Sequence, residues 1–262
     1  MYKTVVTGVV MGVAMLLPSL SIGSVALIFG QYKKLVSIAS KILTFFQEDV
    51  HLTKKEIYYT ATLFTTIFIT VLGAAQIISS IIESQPALFE TVYVALVLGA
   101  VAHLTQQYWT TKKQAVPAIL LGFTVFASIL FTLDTTQIGV PLTVATFIAG
   151  MAMVLPGVSG SFMLYTLQGY EQLIQLLASP LQNIRYLAVI ATTILIGAIA
   201  SIKTIKLLLD KKDNVVILFF TGVLLAGLTT VDVTTYAQEP TLPLLGIGVS
   251  ILVYYGLRKT QL

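Results

Sequence analysis

Long apolar runs separated by short polar segments account for most of the chain. Six runs are long enough to cross a bilayer as helices, because a helix rises about 1.5 Å per residue and the hydrocarbon core is about 30 Å thick. They cover residues 57–82, 91–109, 115–133, 186–202, 215–231 and 243–257. The last three are the shortest of the six, so we expect them to stand nearly upright in the membrane.

Two further apolar regions are each broken by a polar segment that contains proline. The first covers residues 4–39 and is broken at 18–24; the second covers 143–178 and is broken at 156–161. Proline ends a helix, and Gly and Ser favour turns, so each region predicts two half-helices joined by an elbow. We call residues 18–24 the first elbow and residues 156–161 the second elbow.

The two broken regions resemble each other when the first is aligned with the second without a gap. The alignment that places position 12 on position 150 gives eight identities over positions 12–35. The matches include Pro18 with Pro156, Ser21 with Ser159 and Tyr32 with Tyr170. Such residues match by chance less readily than small apolar ones, so the pattern predicts an internal repeat of residues 1–138 and 139–262.

Basic and acidic residues alternate between successive loops. The basic segments contain Lys33, Lys34, Lys41, Lys54 and Lys55, then Lys112 and Lys113, then Lys203, Lys206, Lys211 and Lys212, and finally Arg258 and Lys259. The acidic residues of the other loops are Glu83, Glu90, Asp134, Asp232 and Glu239, with Arg185 as the basic exception there. The positive-inside rule therefore predicts that both termini and all the Lys-rich loops are cytoplasmic.

This alternation requires each broken region to enter and leave the membrane on the same side. If the second one crossed, the basic loop at 203–212 would lie outside. We therefore predict re-entrant hairpins at 4–39 and 143–178, each followed by three spans. Because three is odd, the two halves are inverted, a design that recurs in transporters with broken helices. The predicted fold class is an all-α integral membrane protein with an inverted repeat.

Composition places these runs in a membrane rather than in a soluble core. Apolar residues make up 56% of the 262-residue chain and charged residues 10%, against about 25% charged in soluble domains. The net charge is +4, and cysteine is absent, which excludes disulfides and thiolate metal sites. Lys3 and the apolar residues 5–17 resemble a secretory signal, but no A-x-A-like site follows, so we expect the segment to be retained.

The sequence lacks common catalytic motifs. It contains neither G-x-S-x-G nor H-E-x-x-H, and its two histidines, His51 and His103, are far apart. We therefore predict a transporter rather than an enzyme, with no metal site and no cofactor.

The elbows are the candidate substrate site. Irregular backbone at membrane depth is tolerated only inside the protein or beside a water-filled cavity, so we expect both elbows near its centre. Half-helices that begin near Ser24 and Ser161 would direct free N–H groups and positive dipole ends there, which suits a phosphate monoester. The candidate headgroup residues are Ser19, Ser21, Ser24, Gly157, Ser159, Gly160 and Ser161. A purely structural kink with serine caps is the alternative.

Helix ends alone cannot hold an anion inside a membrane. Each contributes about 0.3–1 kcal/mol, whereas complete desolvation of an ion costs on the order of 20 kcal/mol. The site must therefore stay wet, or a cation must enter with the anion. Coupling to H⁺ or Na⁺ stays open.

Five further polar residues are accessory candidates, several with a structural alternative. Tyr32 and Tyr170 occupy equivalent positions after their prolines and are interfacial anchors or site residues. His103 lies within a span and is a proton relay or an interhelical hydrogen-bonding residue. Arg185 meets an anionic headgroup or a lipid phosphate, and Gln168 flanks the helix after the second elbow.

The second elbow and its flanks resemble a known family signature. Residues 150–161, Gly-Met-Ala-Met-Val-Leu-Pro-Gly-Val-Ser-Gly-Ser, followed by Gln168-Gly169-Tyr170, resemble the second signature of the domain-of-unknown-function 368 family. Residues 8–32 resemble its first signature, and the resemblance spans the whole chain. The first elbow departs from the pattern, because the usual P-G-V-S-G-type segment is replaced by Pro-Ser-Leu-Ser-Ile-Gly-Ser at 18–24.

The resemblance implies a function, because members of this family are viewed as polyprenyl-phosphate transporters. It implies a flippase of the bacterial cytoplasmic membrane that returns undecaprenyl phosphate, the lipid carrier of cell-wall precursors, from the outer to the inner leaflet. Its partners would be this lipid and the surrounding membrane lipids, not nucleic acid, and homo-oligomer formation stays open. The residues alone also allow an ion-coupled carrier or channel for a small soluble anion, or an enzyme acting on a membrane lipid.

Overall fold

The computed structural model describes residues 2–16, 21–44, 52–109, 111–136, 139–179, 181–230 and 242–260. Within these ranges the chain forms helices and the turns between them, and no strand. The helices are α1 (Tyr2–Met15), α2 (Ile22–Ile28), α3 (Tyr32–Thr44), α4 (Lys54–Ser84), α5 (Pro86–Tyr108), α6 (Lys112–Thr136), α7 (Leu142–Val154), α8 (Gly160–Thr166), α9 (Tyr170–Ala178), α10 (Ile184–Gly227) and α11 (Leu242–Thr260), with a 3-10 turn at Leu228–Thr230.

Four of these helices are long and apolar enough to cross a membrane. The qualifying stretches are Lys54–Ile78 in α4, Pro86–Tyr108 in α5, Lys113–Thr132 in α6 and Ile184–Gly227 in α10. Shorter apolar stretches lie in α1, α7 and α11. The prediction of an all-helical chain with several membrane-spanning helices is confirmed at this level.

Helix α10 contains the fourth predicted span and residues 215–227 of the fifth, which continues into the 3-10 turn; residue 231 lies outside the described ranges. Its 44 residues would extend for about 66 Å, roughly twice the hydrocarbon thickness. The helix is kinked at Lys212, whose φ of −150° and ψ of 62° are not helical. The kink falls in the basic segment between the two predicted spans and divides the helix into two apolar halves.

Glycines allow neighbouring long helices to pack closely. Helix α6 packs along α10, where a Cβ added at Gly122 or Gly222 would lie 2.0 Å from a carbonyl oxygen of the other helix. Helix α7 packs along the first half of α10, where a Cβ at Gly150 would lie 2.2 Å from the carbonyl oxygen of Ile194. Small-residue contacts of this kind are typical of helices in lipid, where association has no hydrophobic driving force.

The limb after each elbow contains two helices, not the single half-helix that the sequence predicts. A turn at Gly30 separates α2 from α3, and a turn at Gln168 separates α8 from α9; φ is 67° at Gly30 and 58° at Gln168. Positive φ interrupts a right-handed helix, easily at glycine and with more strain at glutamine. The expectation of continuous half-helices over 25–39 and 162–178 is corrected accordingly.

The local geometry around α2 recurs around α8, at the equivalent place in the second half of the chain. Helix α2 begins after the N-cap residue Ser21 and α8 begins after Ser159, and the two positive-φ turns have the same spacing. The backbone hydrogen bonds that close these turns recur as well, from Gln31 N to Ala26 O and from Gly169 N to Leu164 O. The similarity between the two regions therefore extends from their sequences to their caps and turns.

Helices α2 and α8 differ in burial. All residues from 23 to 28 in α2 are buried, and those from Val25 onward belong to the main hydrophobic core. In α8 the buried residues are Gly160, Met163 and Leu164. Helix α8 therefore has one packed face and one open face.

Candidate functional site

The two elbows are in direct contact. Ser24 Oγ accepts a hydrogen bond of 2.7 Å from Gly157 N, and Ser21 Oγ donates one of 3.3 Å to the carbonyl oxygen of Leu155. The two serine hydroxyls lie 2.8 Å apart. Because the proton of Ser21 is used on Leu155, Ser24 donates to Ser21 and the three bonds form one chain. Buried side chains at the start of α2 thus satisfy backbone groups of the second elbow.

Two further contacts, from α2 and α3, fix the end of α7. Tyr32 Oη donates a hydrogen bond of 3.2 Å to the carbonyl oxygen of Val154, the last residue of α7. A Cβ added at Gly23 would lie 2.6 Å from the same oxygen, so α2 approaches the second elbow at a distance that only glycine permits. Helices α2 and α3 therefore pack against the second elbow and hold its backbone in place.

Gly157 makes the sharp turn of the second elbow possible. Its φ is 85°, in a region that residues with a Cβ rarely adopt. A Cβ there would lie 2.7 Å from Val223 Cγ1 of α10. Glycine at this position relieves both the backbone strain and the clash with α10.

A cavity of about 380 Å³ lies on the open side of the second elbow, and we call it the elbow cavity. It is lined by Tyr93, Phe126, Leu130, Gly157, Ser159, Ser161, Phe162, Tyr165, Tyr170 and Gly227. Three predicted headgroup residues, Gly157, Ser159 and Ser161, are therefore brought together with the accessory candidate Tyr170. At about 30 Å³ per water molecule, the volume is sufficient for a hydrated phosphate group.

The start of α8 supplies the polar groups of the elbow cavity. Ser159 is the N-cap residue, and its Oγ lies 3.5 Å from Phe162 N and 3.0 Å from Ser161 Oγ. Ser161 is exposed where it lines the cavity. The first N–H groups of a helix have no partner within it, so the amide of Ser161, a residue that lines the cavity, is free of an intrahelical acceptor. Hydroxyl and amide donors are the neutral groups that bind phosphate oxygens.

Aromatic side chains form much of the remaining wall. The rings of Tyr165 and Tyr170 meet edge to face with centroids 6.4 Å apart, and Tyr165 is 66% exposed. Tyr93 from α5 and Phe126 from α6 are buried. A few polar groups set in an apolar wall are typical of sites that bind a polar group carried on a hydrocarbon.

Among the described residues that line the elbow cavity, no side chain is cationic. A phosphate monoester carries a charge of about −1.5 to −2 near neutral pH, so the hydroxyl and amide donors need water or an accompanying cation to balance it. In the part of the chain that the structure describes, no group of three or more His, Asp or Glu side chains could hold a metal ion.

The other predicted headgroup residues lie behind the elbow cavity or outside the described residues. Ser21 and Ser24 are buried and hydrogen-bonded to the second elbow. Gly160 is buried against α7, where a Cβ would lie 2.6 Å from Met153 Cγ. Ser19 lies outside the described residues. Direct contact of these residues with a headgroup stays a prediction.

Four accessory candidates do not line the elbow cavity. Tyr32 is 3% exposed and acts as a donor to the end of α7. His103 is buried beside the ring of Tyr254, with centroids 6.2 Å apart. Gln168 and Arg185 are exposed. The roles of these four residues stay predictions.

Most of the cavity wall was not predicted from the sequence. Tyr165 had a recognisable signal, because it lies one helical turn after Ser161 and so on the same face of α8. Tyr93, Phe126 and Leu130 come from α5 and α6, and only tertiary packing brings them to the second elbow.

Most of the chain matches one known protein family. The profile of the VCA0040-like family, described as undecaprenyl phosphate translocase-like, matches residues 11–241. The chain belongs to this family. The matched range contains every described residue that lines the elbow cavity, and the resemblance read from the two elbow signatures is confirmed.

A curated relative of this translocase-like chain is named a polyprenyl-phosphate transporter. It comes from Vibrio cholerae serotype O1 (strain ATCC 39315 / El Tor Inaba N16961) and is 26% identical over 235 residues, which cover 86% of this chain and 76% of the relative. No solved structure matches.

Proposed function

We propose that this protein transports polyprenyl phosphate, with undecaprenyl phosphate as the substrate, by carrying the phosphate past the second elbow. The observation that carries the proposal is the elbow cavity, where the hydroxyls of Ser159 and Ser161 and the bare backbone of Gly157 lie beside aromatic walls. The name of the Vibrio cholerae relative, a polyprenyl-phosphate transporter, supports the same substrate class. The role is transport and not catalysis.

Only the phosphate of such a lipid needs help to cross the membrane. The prenyl tail stays in hydrocarbon, since exposure to water would cost about 0.8 kcal/mol for each methylene-sized group. The phosphate has the opposite preference, with an idealised desolvation cost on the order of 20 kcal/mol. A cavity that supplies hydroxyls, amides and water lowers this barrier while the tail remains in lipid. A cation such as H⁺ or Na⁺ balances the remaining charge.

The proposed architecture is an inverted repeat of residues 1–138 and 139–262, each with a re-entrant hairpin and three spans. The recurring caps and turns of α2 and α8 support the repeat. Access to the elbow cavity would alternate between the two leaflets as one half moves against the other, as in other transporters built from inverted repeats.

A cluster of contacts supports the proposed orientation. Lys33 Nζ lies 2.6 Å from Asp213 Oδ2, beside the kink of α10, and 4.7 Å from the ring centroid of Tyr108, near the start of α6. These residues belong to or border three segments that the charge pattern assigns to the cytoplasm. Their proximity supports one common side for these segments, and we place that side and both termini in the cytoplasm, with the protein in the bacterial cytoplasmic membrane.

Leaflet-resolved measurement of undecaprenyl phosphate in cells depleted of the protein tests the proposal. The carrier should accumulate in the outer leaflet, and the wild-type protein should restore its distribution. Ser161→Leu should insert normally and fail to restore it, because leucine fills the polar end of the elbow cavity. Ser250→Ala, a change in α11 away from that cavity, should behave as wild type. If depletion leaves the carrier unchanged and instead slows the uptake of a small anion, the soluble-anion alternative replaces the lipid.

A further inference from the structure

A second cavity, of about 630 Å³, lies where α7 reaches the second elbow. Helices α2, α3, α7 and the first half of α10 form its walls, and Phe64 of α4 lies at its edge. Helix α4 packs along α1, and α10 packs along α7, so this cavity lies between the two helix pairs. We call it the lateral groove.

The lateral groove is almost entirely apolar. Tyr32 supplies the only hydroxyl among its described lining residues, and that hydroxyl already donates to the carbonyl oxygen of Val154. None of the described lining side chains is charged. Because an unpaired polar group loses free energy in such surroundings, the groove suits hydrocarbon and not a headgroup or a hydrated ion.

Small residues of α10 make the wall of the lateral groove uneven. Ala191 and Ala198 line it together with larger side chains such as Ile194. Recesses beside larger side chains accommodate methyl branches with close contacts on several sides. An isoprenoid chain carries such branches at regular intervals, and a straight acyl chain lacks them.

The lateral groove and the elbow cavity lie close together, on either side of the second elbow's backbone. Val154 lines the groove, and Gly157 lines the elbow cavity. The three steps between them span at most about 11 Å, even in a fully extended chain. A phosphate held in the elbow cavity therefore places the start of its tail within reach of the groove. A bulk phospholipid instead keeps its headgroup at the interface, about 15 Å from the bilayer midplane.

We propose that the lateral groove binds the isoprenoid tail of polyprenyl phosphate next to its phosphate, an inference that rests on the proposed function. At about 30 Å³ per heavy atom, as in water, the groove holds about 20 carbon atoms, or about four five-carbon units. Because the surrounding lipid is as apolar as the groove, the tail gains packing contacts and not burial from water. The groove orients the substrate and selects branched chains over straight ones.

A matched pair of substitutions on α10 tests the groove. Ile194→Trp places a large ring in the lateral groove, whereas Ile196→Trp places the same ring at a nearby position that is 51% exposed and does not line it. Transport of undecaprenyl phosphate and of the straight-chain hexadecyl phosphate is measured in proteoliposomes. Ile194→Trp should raise the half-saturating concentration of the branched substrate about tenfold, as expected for lost packing contacts, and leave that of the straight one unchanged.

A second groove variant and a crosslinking measurement ensure that the test does not depend on a single substitution. Ala198→Phe narrows the same groove and should show the same difference between the branched and the straight substrate, and Ile196→Trp should match wild type for both substrates. A photo-crosslinking residue at position 194 should capture polyprenyl phosphate in preference to phospholipid.

The outcomes separate the groove from the proposed function. A wild-type protein that moves neither substrate contradicts the proposed function itself. A wild-type protein that transports both, with groove variants that shift both substrates equally or neither, overturns the tail site and leaves the function standing. Equal capture of phospholipid and polyprenyl phosphate at position 194 overturns the tail site as well.

Discussion

Removal of one buried hydroxyl, in Ser24→Ala, tests how far the first elbow supports the second. Ser24 is 0% exposed, and its Oγ accepts the hydrogen bond from Gly157 N at 2.7 Å. Alanine fits the space but leaves this N–H without an acceptor and removes the hydroxyl beside Ser21. A buried donor without a partner costs about 1–3 kcal/mol, which is a factor of about 5–150 in an equilibrium constant.

We expect this cost to appear in both transport and stability. The second elbow would shift toward another arrangement, so the fraction of molecules with a competent elbow cavity falls, and with it the transport rate, by about tenfold. The apparent melting midpoint in detergent should fall by about 2–4 °C for each kcal/mol lost, for a chain of this size. Transport is measured in proteoliposomes and melting by a thermal scan of the purified protein.

Ser250→Ala is the matched control for this experiment. Ser250 Oγ donates a hydrogen bond of 2.9 Å to the carbonyl oxygen of Gly246 within α11, so its removal leaves no N–H unpaired. This variant should remain close to wild type in both measurements. If Ser24→Ala transports and melts as Ser250→Ala does, the hydrogen-bond chain between the elbows does not support the site and the reasoning is refuted.

Three further changes test other features. Gly157→Ala puts a Cβ at a φ of 85°, which costs about 1–3 kcal/mol, so its melting midpoint should lie below that of Ser161→Ala; equal midpoints would contradict the strain. Tyr170→Ala should slow transport severalfold while Tyr170→Phe retains most of it, because the ring lines the elbow cavity; equal rates for both would instead indicate an interfacial anchor. The hydrogen bond from Lys33 holds the pKa of the Asp213 carboxyl below its usual range, so the pair stabilises the fold above the unfolded pKa of about 3.9 and loses this contribution as pH falls through the lower folded value. Asp213→Asn should therefore flatten the acid side of a plot of melting midpoint against pH, and an unchanged slope would show that the pair contributes nothing.

The elbows could be predicted because local residues determine them. The proline, glycine and serine residues of the second elbow interrupt a helix regardless of what packs around them. Ser21 and Ser159 act as N-caps, in agreement with the preference of serine for that position. The turn at Gln168 could not be predicted, because its positive φ occurs at a residue that seldom adopts it.

The different burial of the two elbows could not be predicted from the sequence, because it depends on tertiary packing. The elbows are similar in sequence, yet Ser24 is buried within the protein and Ser161 is exposed to a cavity walled in part by α5 and α6. In the sequence, the two elbows differ in their glycine content. Gly157 and Gly160 of the second elbow correspond to serine and isoleucine at positions 19 and 22 of the first. The second elbow, which lines the cavity, therefore has backbone without a side chain at Gly157, and the first elbow has a serine there.

The central claim is that the second elbow carries the phosphate of a polyprenyl lipid across the membrane. Its most direct test is the rate at which labelled undecaprenyl phosphate exchanges between leaflets of liposomes that contain the purified protein. We predict exchange far above that of protein-free liposomes for the wild type, and exchange at the protein-free level for folded Ser161→Leu. A wild-type rate no faster than that of protein-free liposomes, or equal rates for the two proteins, would contradict the claim.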